Sequence, residues 1–444
     1  MKIQHIISKE GDFWQEGTVE HKNYEDCLIV TDVKKQEIKG FGGCFNELGW
    51  EALQKAEETQ RKAFLDELFV PEKGNFNYGR VPIGANDFSL EWYSCDETDG
   101  DYELKDFNIE RDKKYTIPFI REAIARQGKN FTVFASPWSP PTWMKTKKAY
   151  NFGTLRGEEK VLKAYAEYFA KFVLAYQQEG VTVSQVHVQN EPMADQKFPS
   201  CKWTGPQMRD FIRDYLGPVF AAHGLNAEIW LGTINGPFLN MQLGEKTPFS
   251  EFYDQFINTV LSDKKARKYI SGVGLQWGGK HVLEQVELSY PEMKIMQTES
   301  ECGDGQNSFE HMEYVSGLMW QYFRHGAEKY TYWNIALTNE SVSTWGWKQN
   351  SLCTVNPHTG DIQYQPEYYL MKHYSQFVKP GAKYIESKGH WAGNSSVFEN
   401  PNGSIVVVLT NHMHEARELS IKVKNQVVSA LIEPHSLHTF VIEA

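Results

Sequence analysis

Short runs of apolar and β-branched residues recur along the chain, separated by longer stretches whose apolar residues return every three or four positions. The runs fall at 38–43, 77–83, 131–136, 183–189, 227–233, 270–276, 294–298 and 329–333. Between the third and fourth, 157–179 is a helix by pattern: Leu162, Tyr165, Tyr168, Phe169, Phe172 and Val173 make one apolar stripe. Strand and helix patterns that alternate predict a parallel sheet, and eight such strands predict a closed (β/α)8 TIM barrel of the α/β class. From about residue 384 the texture changes to alternating positions punctuated by turns. The turn Asn400-Pro401-Asn402-Gly403 precedes strands at 404–410, 419–423, 427–432 and 438–442. The first residues, including 27–31, have the same texture. The expected layout is therefore N-terminal strands over 1–36, the barrel over 37–380, and an all-β sandwich over 381–444 built from both chain ends.

At 444 residues and 41% hydrophobic, the chain can bury a large core and a smaller one. Its net charge of −11 and the absence of any Lys/Arg block argue against nucleic acid and anionic membranes as partners. A neutral carbohydrate fits better. Residues 1–10 lack the apolar stretch of a secretory signal, and no run is long enough to span a membrane, so a cytoplasmic protein is expected. Nothing in the chain sets its oligomeric state. Six cysteines stand singly with no metal-ligand spacing, so they read as free thiols, and neither metal nor organic cofactor is expected. Cys302, although close to Glu299, reads as a packing residue.

Two acids stand where a barrel presents its chemistry. Glu191 ends the fourth run in Gln189-Asn190-Glu191-Pro192, and Glu299 ends the seventh in Gln297-Thr298-Glu299-Ser300-Glu301. Both positions face the C-terminal mouth. Two carboxyls there suit hydrolysis of a glycosidic bond, one protonating the leaving oxygen and one attacking or supporting the sugar carbon. Glu191 suits the acid, with the Asn190 amide beside it for a sugar hydroxyl. Glu299 shares its claim with Glu301, since alternation turns both to one side; alternatively Glu299 pairs structurally with a barrel arginine such as Arg80. Trp138, Trp277, Trp333, Trp345 and Trp347 are candidate walls for a sugar ring. Asp87 sits just past the second strand as a candidate acceptor for two hydroxyls. Gly40-Phe41-Gly42-Gly43 lacks a nucleotide-binding spacing and reads as a tight turn under the substrate.

In this order the chain also carries Gly40-Phe41-Gly42-Gly43, Arg80-Val81-Pro82, Asp87-Phe88-Ser89, Ala135-Ser136-Pro137-Trp138, Asn190-Glu191-Pro192, Phe211 to Pro218, Thr298 to Cys302 and Trp333 to Leu337. In these motifs it resembles glycoside hydrolase family 30, the group that includes acid β-glucosidase (glucosylceramidase). The resemblance implies a retaining double displacement with Glu191 as acid/base and Glu299 as nucleophile, and a glycone pocket lined by Asp87, Trp138, Asn190, Trp333 and Asn350. Retention needs carboxyls about 5 to 5.5 Å apart. One departure stands out: where the glucosylceramidases have His-Trp-Tyr, this chain reads Gln276-Trp277-Gly278. The tyrosine that would contact the nucleophile is missing, and Tyr332 is a candidate replacement. The expected activity is a β-glucosidase acting on small glucosides or oligosaccharides. An endo-β-1,6-glucanase, a β-xylosidase or a β-fucosidase of the same family is the alternative, and a non-catalytic carbohydrate-binding protein is the reading from another class.

Overall fold

The chain enters through three strands, β1 (Lys2–Lys9), β2 (Asp12–Glu16) and β3 (Cys27–Glu37), in a computed structural model that describes residues 2–236 and 253–443. Eight strands follow: β4 (Gly40–Cys44), β5 (Tyr78–Ile83), β6 (Thr132–Pro137), β7 (Val183–His187), β8 (Glu228–Ile234), β9 (Ile270–Gln276), β10 (Lys294–Glu299) and β11 (Ala327–Asn334). They close a parallel barrel as β11 pairs with β4. Each coincides with a predicted run to within two residues. The runs carry no polar alternation because both faces are covered. Inside, Tyr78, Phe134, Trp230 and Met296 fill one layer. Outside, the helix Glu159–Gln178 buries Tyr165, Tyr168, Phe169, Phe172 and Val173 against the strands.

The glycine run differs from its expected role. Residues 40–44 are strand β4, not a turn, and the glycines answer to close packing. A Cβ at Gly42 would lie 2.3 Å from the Tyr78 carbonyl oxygen, and one at Gly43 2.5 Å from Ile335. A small sheet that the pattern did not disclose follows the barrel: β12 (Ala336–Thr338), β13 (Cys353–Val355) and β14 (Ile362–Tyr364). It ties down both ends of a long loop, 339–352, over the barrel mouth.

The terminal strands β15 (Lys383–Lys388), β16 (Ser395–Glu399), β17 (Ile405–Asn411), β18 (Arg417–Val423), β19 (Gln426–Ile432) and β20 (Ser436–Glu443) join β1–β3 in the order β19-β18-β3-β15-β16-β17-β20-β1-β2. Both chain ends thus build the second domain. Val407 and Leu409 share a core with Leu419 and Ile421, two layers of one folded-over sheet, while Val406 and Val408 face the barrel core. The two-residue period of β17 therefore serves two interfaces at once.

At the seam between the domains the buried groups include a chain of histidines. His5 Nε2 and His438 Nδ1 are 2.9 Å apart, His438 Nε2 meets Ser436 at 2.7 Å, and His373 bridges Ser8 at 2.9 Å and Thr439 at 2.7 Å. Burial holds His5 down to about 4 and His373 to about 3, and pushes His438 well below the ordinary histidine range. The folded chain keeps them neutral while the unfolded chain takes up protons below about 6.5, so their stabilisation is present at pH 7 and is lost as pH falls towards 4, each with a slope of up to about 1.4 kcal/mol per pH unit. Between pH 7 and 5 the melting temperature of the wild type is expected to fall more steeply than that of His373→Gln, as calorimetry can measure; parallel slopes would contradict the assignment.

Candidate active site

Arg80 on β5 is fully buried and organises the mouth. Its Nε and Nη2 donate to Ser136 Oγ at 3.1 and 3.0 Å, and Nη2 also donates to Asn190 Oδ1 at 2.7 Å and Thr233 Oγ1 at 3.2 Å. Nη1 donates to the Thr298 carbonyl at 3.4 Å and forms a short ion pair with Glu299 Oε2. Its guanidinium lies 4.5 Å from the Trp138 ring centre and 5.4 Å from that of Trp333. A charge without water is stable only with this density of partners.

Pairing with Arg80, read from sequence as an alternative to catalysis, thus coexists with a position in the mouth. Glu299 ends β10, where β9 residues 275 and 276 oppose 297 and 299, leaving Thr298 as an extra residue. That bulge breaks the alternation begun by the inward Met296 and turns Glu299 towards Arg80. Glu301 then lies elsewhere, paired with His311, whose other nitrogen faces Glu367 Oε1 at 2.9 Å. Burial disfavours charge on His311, but the two carboxylates outweigh it and raise its pKa to about 9. The expected equivalence of Glu299 and Glu301 therefore fails on geometry.

Past β7 the backbone stays clamped: Gln189 N donates to Gly232 O at 2.9 Å, Asn190 N to Pro137 O at 2.8 Å and Glu191 N to Thr233 O at 2.8 Å. Held this way, Glu191 adopts φ +47°, a left-handed conformation that costs a non-glycine residue on the order of 1–3 kcal/mol and that clusters at functional sites. Asn190 Oδ1 accepts three bonds, from Arg80, from Thr233 Oγ1 at 2.9 Å and from Gln276 Nε2 at 2.7 Å. That fixes the amide and leaves its Nδ2 without a hydrogen-bond partner among the described residues. Glu191 Oε1 accepts from Asn235 Nδ2 at 3.0 Å. Burial and the charge of Glu299 raise Glu191 to about 7, against the Asn235 bond and the Arg80 charge. Burial also raises Glu299, with Arg80 opposing through both its charge and its hydrogen bond. Arg80 thus stabilises one ionised carboxylate directly, and Glu191 is the group that keeps its proton.

Asp87 joins these acids: burial, Glu299 and Glu191 push its carboxyl well above the usual range, and among the described residues that carboxyl makes no hydrogen bond to another residue. Trp138 and Trp333 pack 5.3 Å apart beside Arg80, and the Trp333 Nε1 hydrogen has no partner among the described residues. Five of the expected residues, Asp87, Trp138, Asn190, Trp333 and Glu191, are thus gathered about Arg80 and Glu299. Asn350 stands apart. It is fully buried, donates to Glu367 Oε1 at 2.7 Å, and its Oδ1 accepts from Gly305 and Asn307 at 2.9 and 3.0 Å, so it braces the loop after β10. Trp277 is half-buried against the barrel core. Trp345 and Trp347 lie 4.9 Å apart on the loop 339–352, with Phe198 stacked 6.0 Å from Trp345. Tyr332 does not replace the missing tyrosine, because it points outward with Tyr330 while Thr331 and Trp333 point inward. The sequence reading passed over Asn235, Ser136, Thr233 and Gln276; an arginine in a buried strand was the available signal that such partners must exist. All six cysteines are free, and burial raises the Cys302 thiol far above its ordinary range, so it packs rather than reacts.

Residues 38–378 match the model of the Glycosyl hydrolase family 30 TIM-barrel domain, and residues 381–440 that of the Glycosyl hydrolase family 30 beta sandwich domain. The chain is 28% identical to Putative glucosylceramidase 3 of Caenorhabditis elegans, over 91% of this chain and 80% of the relative. It is 27% identical to an endo-1,6-beta-D-glucanase of Neurospora crassa, over 93% of this chain and 86% of the relative. Its fold is similar to the crystal structure of SrfJ from Salmonella typhimurium, with a TM-score of 0.88, 23% identity and all of both chains covered.

Removing the cation is the sharpest perturbation of this mouth. Arg80→Met is expected to lose at least about 100-fold in kcat/KM, and to lower stability by about 3–5 kcal/mol because Glu299 is left buried without its partner. Steady-state kinetics and denaturant melts read both; a variant within a few-fold of wild type would contradict the role of Arg80.

Proposed function

Because the chain belongs to glycosyl hydrolase family 30 and is thereby a glycoside hydrolase, we propose that it cleaves β-linked glycosides with retention of configuration. Glu299 attacks the sugar carbon as the carboxylate, while Glu191 gives its proton to the departing oxygen. Glu191 then takes a proton from the water that releases the sugar from Glu299. The observation that carries this reading is the unequal support of the two acids: Glu299 has the Arg80 ion pair, whereas Glu191 has, among the described residues, only a neutral amide and is raised to about 7.

The substrate of this reading is a small β-glucoside or oligosaccharide. The Asp87 carboxyl accepts two sugar hydroxyls, the free Asn190 Nδ2 donates to the hydroxyl beside the reacting carbon, and Trp138 and Trp333 face the ring. The aromatic shelf of Trp345, Trp347 and Phe198 suits the departing group. The glucosylceramidase relative favours a glucose unit, and the fungal relative makes an endo-acting β-1,6-glucanase the competing version. A cytoplasmic setting goes with this reading: six unpaired cysteines suit a reducing compartment, and neutral buried histidines suit a near-neutral one.

Glu191 must be protonated to act as the acid, so kcat/KM is expected to fall as pH rises through about 7. A profile flat from pH 6 to 9 would contradict it. Among 4-nitrophenyl β-glucoside, β-xyloside, β-fucoside, β-galactoside and β-glucuronide, the β-glucoside is expected to be cleaved fastest, with monosaccharide released from short oligosaccharides. Disaccharides released mainly from a β-1,6-glucan would instead establish the endo version.

A further inference from the structure

Asn235, just beyond β8, is 2% exposed and bridges two groups in the mouth. Its Oδ1 accepts from the Gly278 backbone N–H at 2.8 Å, and its Nδ2 donates to Glu191 Oε1 at 3.0 Å. The first contact dictates the second. A backbone N–H can be met only by the amide oxygen, so the amide cannot flip, and its NH2 end must face Glu191. Gly278 makes the approach possible: a Cβ at that position would lie 2.5 Å from Asn235 Oδ1, closer than the two atoms can come. The Gly278 N–H, at the start of the turn Trp277–His281 after β9, thus reaches Glu191 through one side chain.

We infer that Asn235, oriented by the Gly278 amide, is a positioning residue that sets the pH at which Glu191 gives up its proton and thereby the upper pH limit of hydrolysis. The inference rests on Glu191 being the acid. Around Glu191 stand Glu299 from β10, Arg80 from β5, Asp87 beyond β5 and Cys302 beyond β10. Burial and Glu299 hold the proton on; Arg80 acts against them at a distance. Among the described residues Asn235 is the direct donor to the carboxylate, and it favours the ionised form. Without it, Glu191 holds its proton to higher pH and loses one constraint on its rotamer.

The test is the pH profile of kcat/KM for wild type, Asn235→Ala, Gly278→Ala and Glu191→Gln, on the 4-nitrophenyl glycoside cleaved fastest, with melts to establish folding. The basic limb is expected to move up by about one pH unit in Asn235→Ala. It should move the same way in Gly278→Ala, because the new Cβ displaces the Asn235 oxygen. A double variant carrying Asn235→Ala and Gly278→Ala should move no further than Asn235→Ala alone. Glu191→Gln should lose the limb altogether. If Glu191→Gln loses it but the limbs of the other two variants stay in place or move down, the Asn235 inference is overturned and the Glu191 reading survives. A Glu191→Gln enzyme that keeps the limb overturns the reading beneath it. A purely structural Asn235 would lower the rate equally at every pH. Should Asn235→Ala fail to fold, Gly278→Ala decides alone.

Discussion

Arg80 carries a full charge into a closed barrel with no part of its side chain exposed, and the mouth is arranged around meeting that charge. Its N–H groups are spent on Ser136 of β6, Asn190 beyond β7, Thr233 of β8, and Thr298 and Glu299 of β10. One side chain therefore ties β5 to four other strands. The requirement that a buried cation be fully paired aims Glu299, and Arg80 favours its ionised form against the burial that raises its pKa. It also helps fix the Asn190 amide through its oxygen. The indoles of Trp138 and Trp333 complete the cage by offering their faces to the guanidinium.

A second cation separates the acids near Glu299. Glu299 and Glu301 lie two residues apart, yet each has its own counterion, Arg80 for one and His311 for the other. His311, Glu367 and Asn350 brace the loop that follows β10, and the end of the strand at Glu299 completes the division, since Glu301 already lies in that loop. Glu191, by contrast, meets a neutral amide where Glu299 meets Arg80, and the proposed division into acid and nucleophile rests on that difference.

The barrel was legible because each strand is a short apolar run bounded by a break, and the break after Glu191 is a proline. The folded-over sheet was legible from the two-residue period at both termini. What escaped was whatever departs from a period. The bulge at Thr298 cannot be read from Gln297-Thr298-Glu299, and neither can the end of β10 at Glu299, past which the alternation that put Glu301 beside Glu299 no longer applies. The glycines of β4 mark close packing rather than a turn, a distinction that depends on Tyr78 and Ile335, far away in sequence. Tyr332 sits one residue from the inward Trp333 and consequently faces out. Asn350 belongs to a loop held by the sheet β12–β14, whose strands are too short to announce themselves. Asn235 acquired its role only through the distant Gly278.

The central claim, that Glu299 is the nucleophile and is made so by Arg80, is tested most directly by trapping. The enzyme would be incubated with a 2-deoxy-2-fluoro glycosyl fluoride of the sugar it cleaves fastest, digested, and the labelled peptide identified by mass spectrometry. The account predicts a single covalent sugar on Glu299, with labelling slowed in Arg80→Met. A label on Glu301 or Glu191, or equal labelling with and without the arginine, would contradict it.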